Sequence, residues 1–378
     1  MIPAKEFDNI PTPFYYYDLS LLDQTLQAVK KYSDYPGFKV HYAVKANANP
    51  VILEKIKDYG IGADTVSGGE IARALECGFK SESIVYAGVG KSDSEIEFAL
   101  KNDIGCLNVE SAEELEVISE IASRLGVTCR VALRVNPDID AHTHHYITTG
   151  IAENKFGIAM EMLDDIVVKC RDDKHIEFMG LHFHIGSQIT SMEPYVELCR
   201  RINKLVDEVE NLGVTVRTIN VGGGLGIDYD NPDLNPIPDF KSYFETFHSN
   251  LNLREDQELH FELGRSIVAQ CGSLITRVLY VKKGVGKKFV IVDAGMTDLI
   301  RPALYQAHHA IENLSSTSTE TERYDVVGPI CESSDTFGEN ESLPVTHRGD
   351  LIALRSAGAY GEIMAAQYNC RKLPASHF

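Results

Sequence analysis

The sequence predicts an α/β protein: a (β/α)8 barrel of the TIM type followed by a C-terminal β-sandwich or β-barrel domain. Three observations carry that expectation. Short apolar, β-branched segments alternate with amphipathic, helix-like stretches eight times between about residues 38 and 263, and eight units in roughly 225 residues suit a fold that takes about 250. Beyond about residue 265 apolar segments continue while long helical patterns stop. Glycines and polar residues cluster just after the apolar segments, where a barrel keeps its working groups. The alternation by itself also fits an open doubly wound sheet, and no internal sequence repeat decides between them.

The eight apolar segments are 39–44 (KVHYAV), 61–66 (IGADTV), 83–87 (SIVYA), 104–109 (IGCLNV), 128–135 (TCRVALRV), 177–185 (EFMGLHFHI), 214–221 (VTVRTINV) and 259–263 (LHFEL). Between the fourth and fifth, 111–125 (SAEELEVISEIASRL) has helical periodicity and opens with Ser111 and Glu114, the spacing of a capping box. In the C-terminal part, 267–282, 287–293, 324–330 and 350–357 read as strands, and the polar run 313–323 (NLSSTSTETER) as an exposed loop. PTPFYYYD near the N-terminus offers that domain an additional strand. The expected division is therefore a barrel over 25–265 and a β domain from 1–24 and 266–378.

The chain has 378 residues, of which 44% are hydrophobic and 24% charged, enough to bury a full core. Its 55 acidic and 36 basic residues give a net charge of −19. Such a surface repels nucleic-acid backbones and anionic lipid, so neither is an expected partner. Eight cysteines without a C-x-x-C pair indicate free thiols in a reducing compartment. The N-terminal residues hold no apolar leader core, and no apolar run approaches membrane-spanning length. A cytoplasmic location is expected.

The ends of the apolar segments supply the candidate chemistry. Lys45 follows the first directly; a lysine there is either a surface residue or, if buried, a Schiff-base former of lowered pKa. Asp64, Ser67 and Glu70 follow the second, and Arg134 lies on the fifth. His182 and His184 on the sixth, two apart, point to one face of a strand. They suit a ring-stacking residue, a metal pair or a core histidine. Gly222, Gly223 and Gly224 close the seventh, where a barrel binds phosphate through backbone N–H groups, although a plain tight turn uses the same residues. Ser187 and Gly264 can add donors to the same anion. Glu262 ends the eighth; it makes a salt bridge there or, under a pyridine ring, keeps the ring nitrogen protonated.

Further on, Cys331 and Glu332 follow a Gly-Pro turn, as a buried thiol or as a proton donor beside a carboxylate. Arg301 and Tyr305 lie four apart, and an arginine can grip a carboxylate bidentately. Tyr360 stands between two glycines, on the surface or against a ligand. The histidine-rich 141–146 (AHTHHY) reads as polar loop, and no metal ligand is assigned.

Taken together, HYAVKAN, GLHFHIGSQ, NVGGGLG, ELGR, DAGMTDLIRPALY, GPICESSD and SAGAYG resemble the diaminopimelate decarboxylases, members of the alanine-racemase-like class of pyridoxal-phosphate enzymes. Seven ordered motifs between about residues 11 and 371 carry the resemblance. It implies pyridoxal 5′-phosphate held covalently by Lys45, stacked on by His184 and paired at its ring nitrogen with Glu262. Ser187, Gly224, Gly264 and Arg265 would surround the phosphate. Arg265, Arg301, Tyr305, Glu332 and Tyr360 would contact the substrate, Tyr360 also the cofactor, and Cys331 from a partner subunit would donate a proton. The implied reaction converts meso-2,6-diaminopimelate to L-lysine and carbon dioxide in a head-to-tail homodimer. The chain ends soon after YNCR, so only dimer-edge detail is expected to differ from longer relatives. Decarboxylation of ornithine, arginine or carboxynorspermidine is the nearest alternative. A catalytically silent binding protein and a metal hydrolase built on H-x-H are the more distant ones.

Overall fold

A computed structural model of the chain describes residues 2–137, 139 and 155–378. Two compact units divide it: Leu26–Gly226 with Asp239–Gly264, and Met1–Thr25 with Ile227–Pro238 and Arg265–Phe378. The stretch Ile227–Pro238 departs from the expected division. Its proline- and aspartate-rich sequence, IDYDNPDLNPIP, has no apolar period that would assign it to either unit.

Ahead of the barrel the chain forms β1 (Phe14–Tyr17) and α1 (Leu19–Tyr32). The barrel then runs β2 (Phe38–Ala43), α2 (Pro50–Asp58), β3 (Gly62–Thr65), α3 (Gly68–Glu76), β4 (Ile84–Tyr86), α4 (Asp93–Lys101), β5 (Cys106–Val109), α5 (Ala112–Leu125) and β6 (Cys129–Arg134). It continues through α6 (Met160–Asp172), β7 (Ile176–His182), α7 (Glu193–Glu210), β8 (Thr218–Asn220), α8 (Phe240–Asn250) and β9 (Glu258–Leu263). The strands β2 to β9 form a closed parallel barrel, sealed where Phe38 to Tyr42 of β2 pair with Leu259 to Leu263 of β9. Both β3 (GADT) and β4 (IVY) are buried on both faces, but only β4 reads as an uninterrupted apolar run, because β3 carries Asp64 and Thr65. Outside the strands, Phe244 and Phe247 of α8 pack edge-on against Phe261 of β9 at 4.9 and 5.3 Å.

Helix starts follow the sequence closely. Ser67 and Ser111 cap α3 and α5 by accepting from the N–H groups of Glu70 and Glu114. The glutamates do not complete the expected box. Glu70 and Glu114 accept instead from Val66 and Glu110, one residue before each cap. Ser67 and Glu70 are thereby occupied as helix-capping groups. The expected strand 214–221 is only Thr218–Asn220; a turn at 211–213 is followed by irregular chain over 214–217.

The second unit opens its C-terminal part with α9 (Arg265–Val268), so strand structure starts five residues later than expected, at β10 (Gly272–Lys283). β11 (Lys288–Val292), α10 (Arg301–Tyr305), β12 (Ile311–Asn313), β13 (Thr321–Val327), β14 (Thr336–Pro344), β15 (Leu351–Leu354) and β16 (Ala375–His377) follow. The sheet order is β12-β15-β10-β11-β13-β14, and β1 adds to it, antiparallel to β10 and parallel to β16. Phe7, Phe14, Ile275, Leu351 and Ala353 form one buried cluster of this unit. β14 (TFGENESLP) buries only Phe337 and Leu343, so it has no apolar alternation to reveal it. The run 313–323 is a loop only in its middle; β12 ends and β13 begins within it.

Candidate active site

In the barrel, Glu262 on β9 is the centre of a buried polar cluster. It is 8% exposed and accepts from Asn220 Nδ2 of β8 at 2.7 Å, His182 Nε2 of β7 at 3.1 Å and Asn108 Nδ2 of β5 at 3.4 Å. Burial pushes its pKa up, but His182, by charge and hydrogen bond, and then Lys45 outweigh that and hold the carboxyl well below the usual range. Asp64 of β3 goes the other way: burial, then the neighbouring Glu262 charge, raises it well above the ordinary value. The ionised carboxylate is therefore Glu262. An acceptor-only carboxylate requires the proton of His182 on Nε2, and its buried Nδ1 has no hydrogen-bond partner, nor has Asp64 Oδ1.

Lys45 lies two residues past Ala43, the end of β2, in a short helical turn over Val44–Ala46. Its charge acts on Asp64, Glu70, Glu262 and His184, which places it at the same mouth of the barrel. His184 corrects the expected geometry. β7 ends at His182, so the two imidazoles do not share a strand face. His182 turns to Glu262, whereas His184 Nδ1 accepts from the N–H of Gly223 at 3.3 Å. Burial, then Lys45, lowers the His184 pKa well below its ordinary value and keeps the ring neutral. Among the described residues no group of three His, Cys, Asp or Glu side chains is arranged to hold a metal ion. The 141–146 stretch lies outside the described residues.

The glycine run is required sterically. Gly222 and Gly224 have φ of +69° and +100°. A Cβ on Gly222 would meet Phe183 O at 2.5 Å, one on Gly223 would meet Glu262 O at 2.0 Å, and one on Gly224 would meet Gly186 O at 2.7 Å. A Cβ on Gly264 would press on Ala43 and Ala46 at 3.1 Å. The loop carrying Ser187 is tied to this run by the Ile189 N–H bond to Gly224 O and the Gly226 N–H bond to Ile189 O, both 2.9 Å. Arg134 is committed elsewhere, paired with Glu110 at 2.6 Å.

In the second unit, α10 brings Arg301 and Tyr305 onto one turn, and Arg301 is 6% exposed. Arg265, at the start of α9, donates to Tyr229 Oη at 2.7 Å and lies 5.0 Å from the Tyr360 ring. Tyr360 has a φ of +57°, a left-handed conformation that carries some backbone cost. Cys331 and Glu332 are exposed, and the Tyr368 hydroxyl donates to Glu332 at 2.8 Å. Cys331 is thus no buried thiol, and all eight cysteines are free. Asn108 and Asn220, the partners of Glu262, and Tyr229 escaped the sequence reading. Asn220, ending an apolar strand beside the glycines, is the one that carried a usable signal.

These groups fit a pyridoxal cofactor. An ionised, buried carboxylate suits a pyridinium nitrogen, and the neutral His184 ring offers a flat face. Fold and site define a cofactor-dependent barrel enzyme. The chain belongs to the pyridoxal-dependent decarboxylases, whose pyridoxal-binding domain matches residues 20–269. It is 57% identical to the diaminopimelate decarboxylase of Bacteroides thetaiotaomicron, over 100% of this chain and 98% of that one. The Helicobacter pylori diaminopimelate decarboxylase is 45% identical over 97% and 89%. A crystal structure of that enzyme complexed with L-lysine superposes with a TM-score of 0.93 and 44% identity, over 99% of this chain and 94% of that one.

Proposed function

We propose that the chain removes carbon dioxide from the D-centre of meso-2,6-diaminopimelate and releases L-lysine, the last step of lysine biosynthesis. Full-length similarity to diaminopimelate decarboxylases supports the substrate. The observation that carries the chemistry is Glu262, buried, ionised and fixed by donors from three other strands.

When bound, the pyridoxal phosphate supplies a protonated ring that takes up the electron pair left by the departing carboxylate. Lys45 would hold the cofactor covalently through Nζ. Glu262 keeps the ring nitrogen protonated, because a carboxylate so far below its usual pKa retains its charge beside a cation. His184 would lie against the ring, and its neutrality avoids opposing that positive charge. Ser187, Gly224, Gly264 and Arg265 receive the phosphate. Arg301, Tyr305, Glu332 and Tyr360, with Arg265, take the carboxylate and ammonium groups of the substrate. Recognition of the distal amino-acid end decides which of two near-equivalent centres reacts. Cys331 delivers a proton from Sγ to the carbon that has lost carbon dioxide, or holds the water that does. Its exposure suits a residue serving a partner subunit in a cytoplasmic homodimer.

The test is lysine release from meso-diaminopimelate by purified protein with added pyridoxal phosphate. Ornithine, arginine and carboxynorspermidine are run in parallel. Lysine from diaminopimelate alone is expected. Carbon dioxide from one of the others instead overturns the substrate while keeping the cofactor chemistry.

A further inference from the structure

Arg301 is almost wholly buried, and among the described residues no carboxylate pairs with it. A guanidinium withdrawn from water needs its donors met, and here an imidazole and a phenol meet them; burial raises the phenol's pKa, but the Arg265 and then the Arg301 charge outweigh it and lower it. Nη1 donates to His309 Nε2 at 2.9 Å, and another hydrogen bond goes to Tyr229. Because Nε2 accepts, the His309 proton is on Nδ1, which donates to Arg355 O at 2.8 Å. Arg355 is itself anchored by Asp233 at 2.8 Å and Glu312 at 2.6 Å. His309 is fully buried; burial, then the Arg301 charge, lowers its pKa to about 3, so it stays a neutral acceptor.

Tyr229 fixes the other side. The Arg301 Cζ lies 4.9 Å from the centre of its ring and the Arg265 Cζ 5.9 Å, with Arg265 also donating to the hydroxyl. The His309 ring meets the Tyr229 ring edge-on at 5.3 Å. An aspartate or glutamate in either place would hold Arg301 as firmly but cancel its charge. A histidine and a phenol orient it and leave the charge for a ligand.

We propose that Tyr229 and His309 are positioning residues that aim an unneutralised Arg301 at the retained carboxylate of a dicarboxylic amino acid, and so set the preference for dicarboxylic over monocarboxylic substrates. The inference rests on the reading of Arg301 as a substrate-binding residue and goes beyond it by naming what aims it.

The test uses the holoenzyme with two competitive ligands. L-lysine keeps the distal carboxylate, and cadaverine lacks it. Tyr229→Phe and His309→Ala should each raise KM for meso-diaminopimelate and Ki for L-lysine by about tenfold, leaving kcat within about twofold and the cadaverine Ki unchanged. His309→Gln, which can still accept from Arg301 and donate to Arg355 O, should recover most of the loss. Equal weakening of both ligands, or a fall in kcat alone, overturns the proposal. Should His309→Ala fail to fold, Tyr229→Phe removes one oxygen and carries the same test. Arg301→Met separates the two readings: if it leaves the lysine-to-cadaverine ratio unchanged, the assignment of Arg301 itself fails. If it alone collapses the ratio, only the roles of Tyr229 and His309 fail.

Discussion

Gly223→Ala is the sharpest test of the barrel cluster, because its effect can be worked from the backbone. The added Cβ would sit 2.0 Å from Glu262 O and 3.0 Å from Glu262 C. Ordinary contact is about 3.5 Å, so β8 and β9 must separate locally by about 1.5 Å. That gap lies beside the Glu262 N–H bond to Gly222 O at 2.8 Å and the Val221 N–H bond to His260 O at 3.0 Å. Losing or stretching both costs about 1 kcal/mol each, and overpacking a filled core adds about 1–3 kcal/mol. The sum, about 3–5 kcal/mol, should lower the melting temperature of the cofactor-free protein by about 5 °C. The same movement draws Glu262 from Asn220 and His182, so pyridoxal phosphate, titrated by absorbance, should bind at least about tenfold more weakly. Gly69→Ala is the control: its Cβ meets only Ser67 Oγ, at 3.7 Å, near the start of α3. A Gly223→Ala protein with wild-type melting and cofactor affinity would refute the steric argument.

Other outcomes follow from the same structure. Glu262→Gln keeps one acceptor oxygen but sets an amide N–H against the donors of Asn108, Asn220 and His182; kcat should fall at least about a hundredfold, and near-normal turnover removes Glu262 from its role. Lys45→Ala and Cys331→Ala should each be inactive alone. Mixed and allowed to exchange subunits, they should regain about a quarter of wild-type activity if each site draws on two subunits, and no recovery argues that one subunit supplies both. His41 and His309 have pKa values lowered to about 3, chiefly by burial, then by His260 and Arg301 respectively. Since both are depressed from about 6.5, the stability they lend is complete above that pH and is lost as pH falls toward 3, by up to about 1.4 kcal/mol per unit each. The melting temperature should therefore drop between about pH 7 and pH 5, and His41→Gln should flatten the drop; an identical slope would count against it.

How much of this was legible in the sequence depended on what each segment buries. A barrel strand covered on both faces, such as β4 (IVY), is apolar throughout and announces itself, whereas β3 (GADT) is equally buried yet holds Asp64 and Thr65. β14 buries only Phe337 and Leu343, and Ile227–Pro238 has neither period, so its place in the second unit could come only from tertiary contacts. In the site, residues at strand ends could be named singly, since a barrel fixes where its strands terminate. Their partners could not. Glu262 is met by side chains 154, 80 and 42 residues away in sequence, and no local pattern encodes such convergence. His184 was placed on a strand face because the apolar run extends to Ile185, whereas pairing stops at His182 and the chain turns toward the glycines.

The two clusters treat charge in opposite ways, and the difference has a thermodynamic consequence. Glu262 is buried with its donors in place, so its charge is stabilised before any ligand arrives. Arg301 is buried against a phenol and a neutral imidazole, with burial lowering its pKa. In a chain of net charge −19, a buried guanidinium held by a phenol and an imidazole keeps its charge for a ligand. It lowers the stability of the ligand-free protein in exchange for affinity. Replacing it with methionine, which fills similar volume without charge, should leave the ligand-free melting temperature no lower than wild type. Saturating L-lysine at about 100 times its Kd should stabilise the wild type by about 2.7 kcal/mol and the Arg301→Met protein by far less. A marked fall in the ligand-free melting temperature of Arg301→Met would show instead that Arg301 serves the fold, and that its pairing with neutral partners stabilises the free protein.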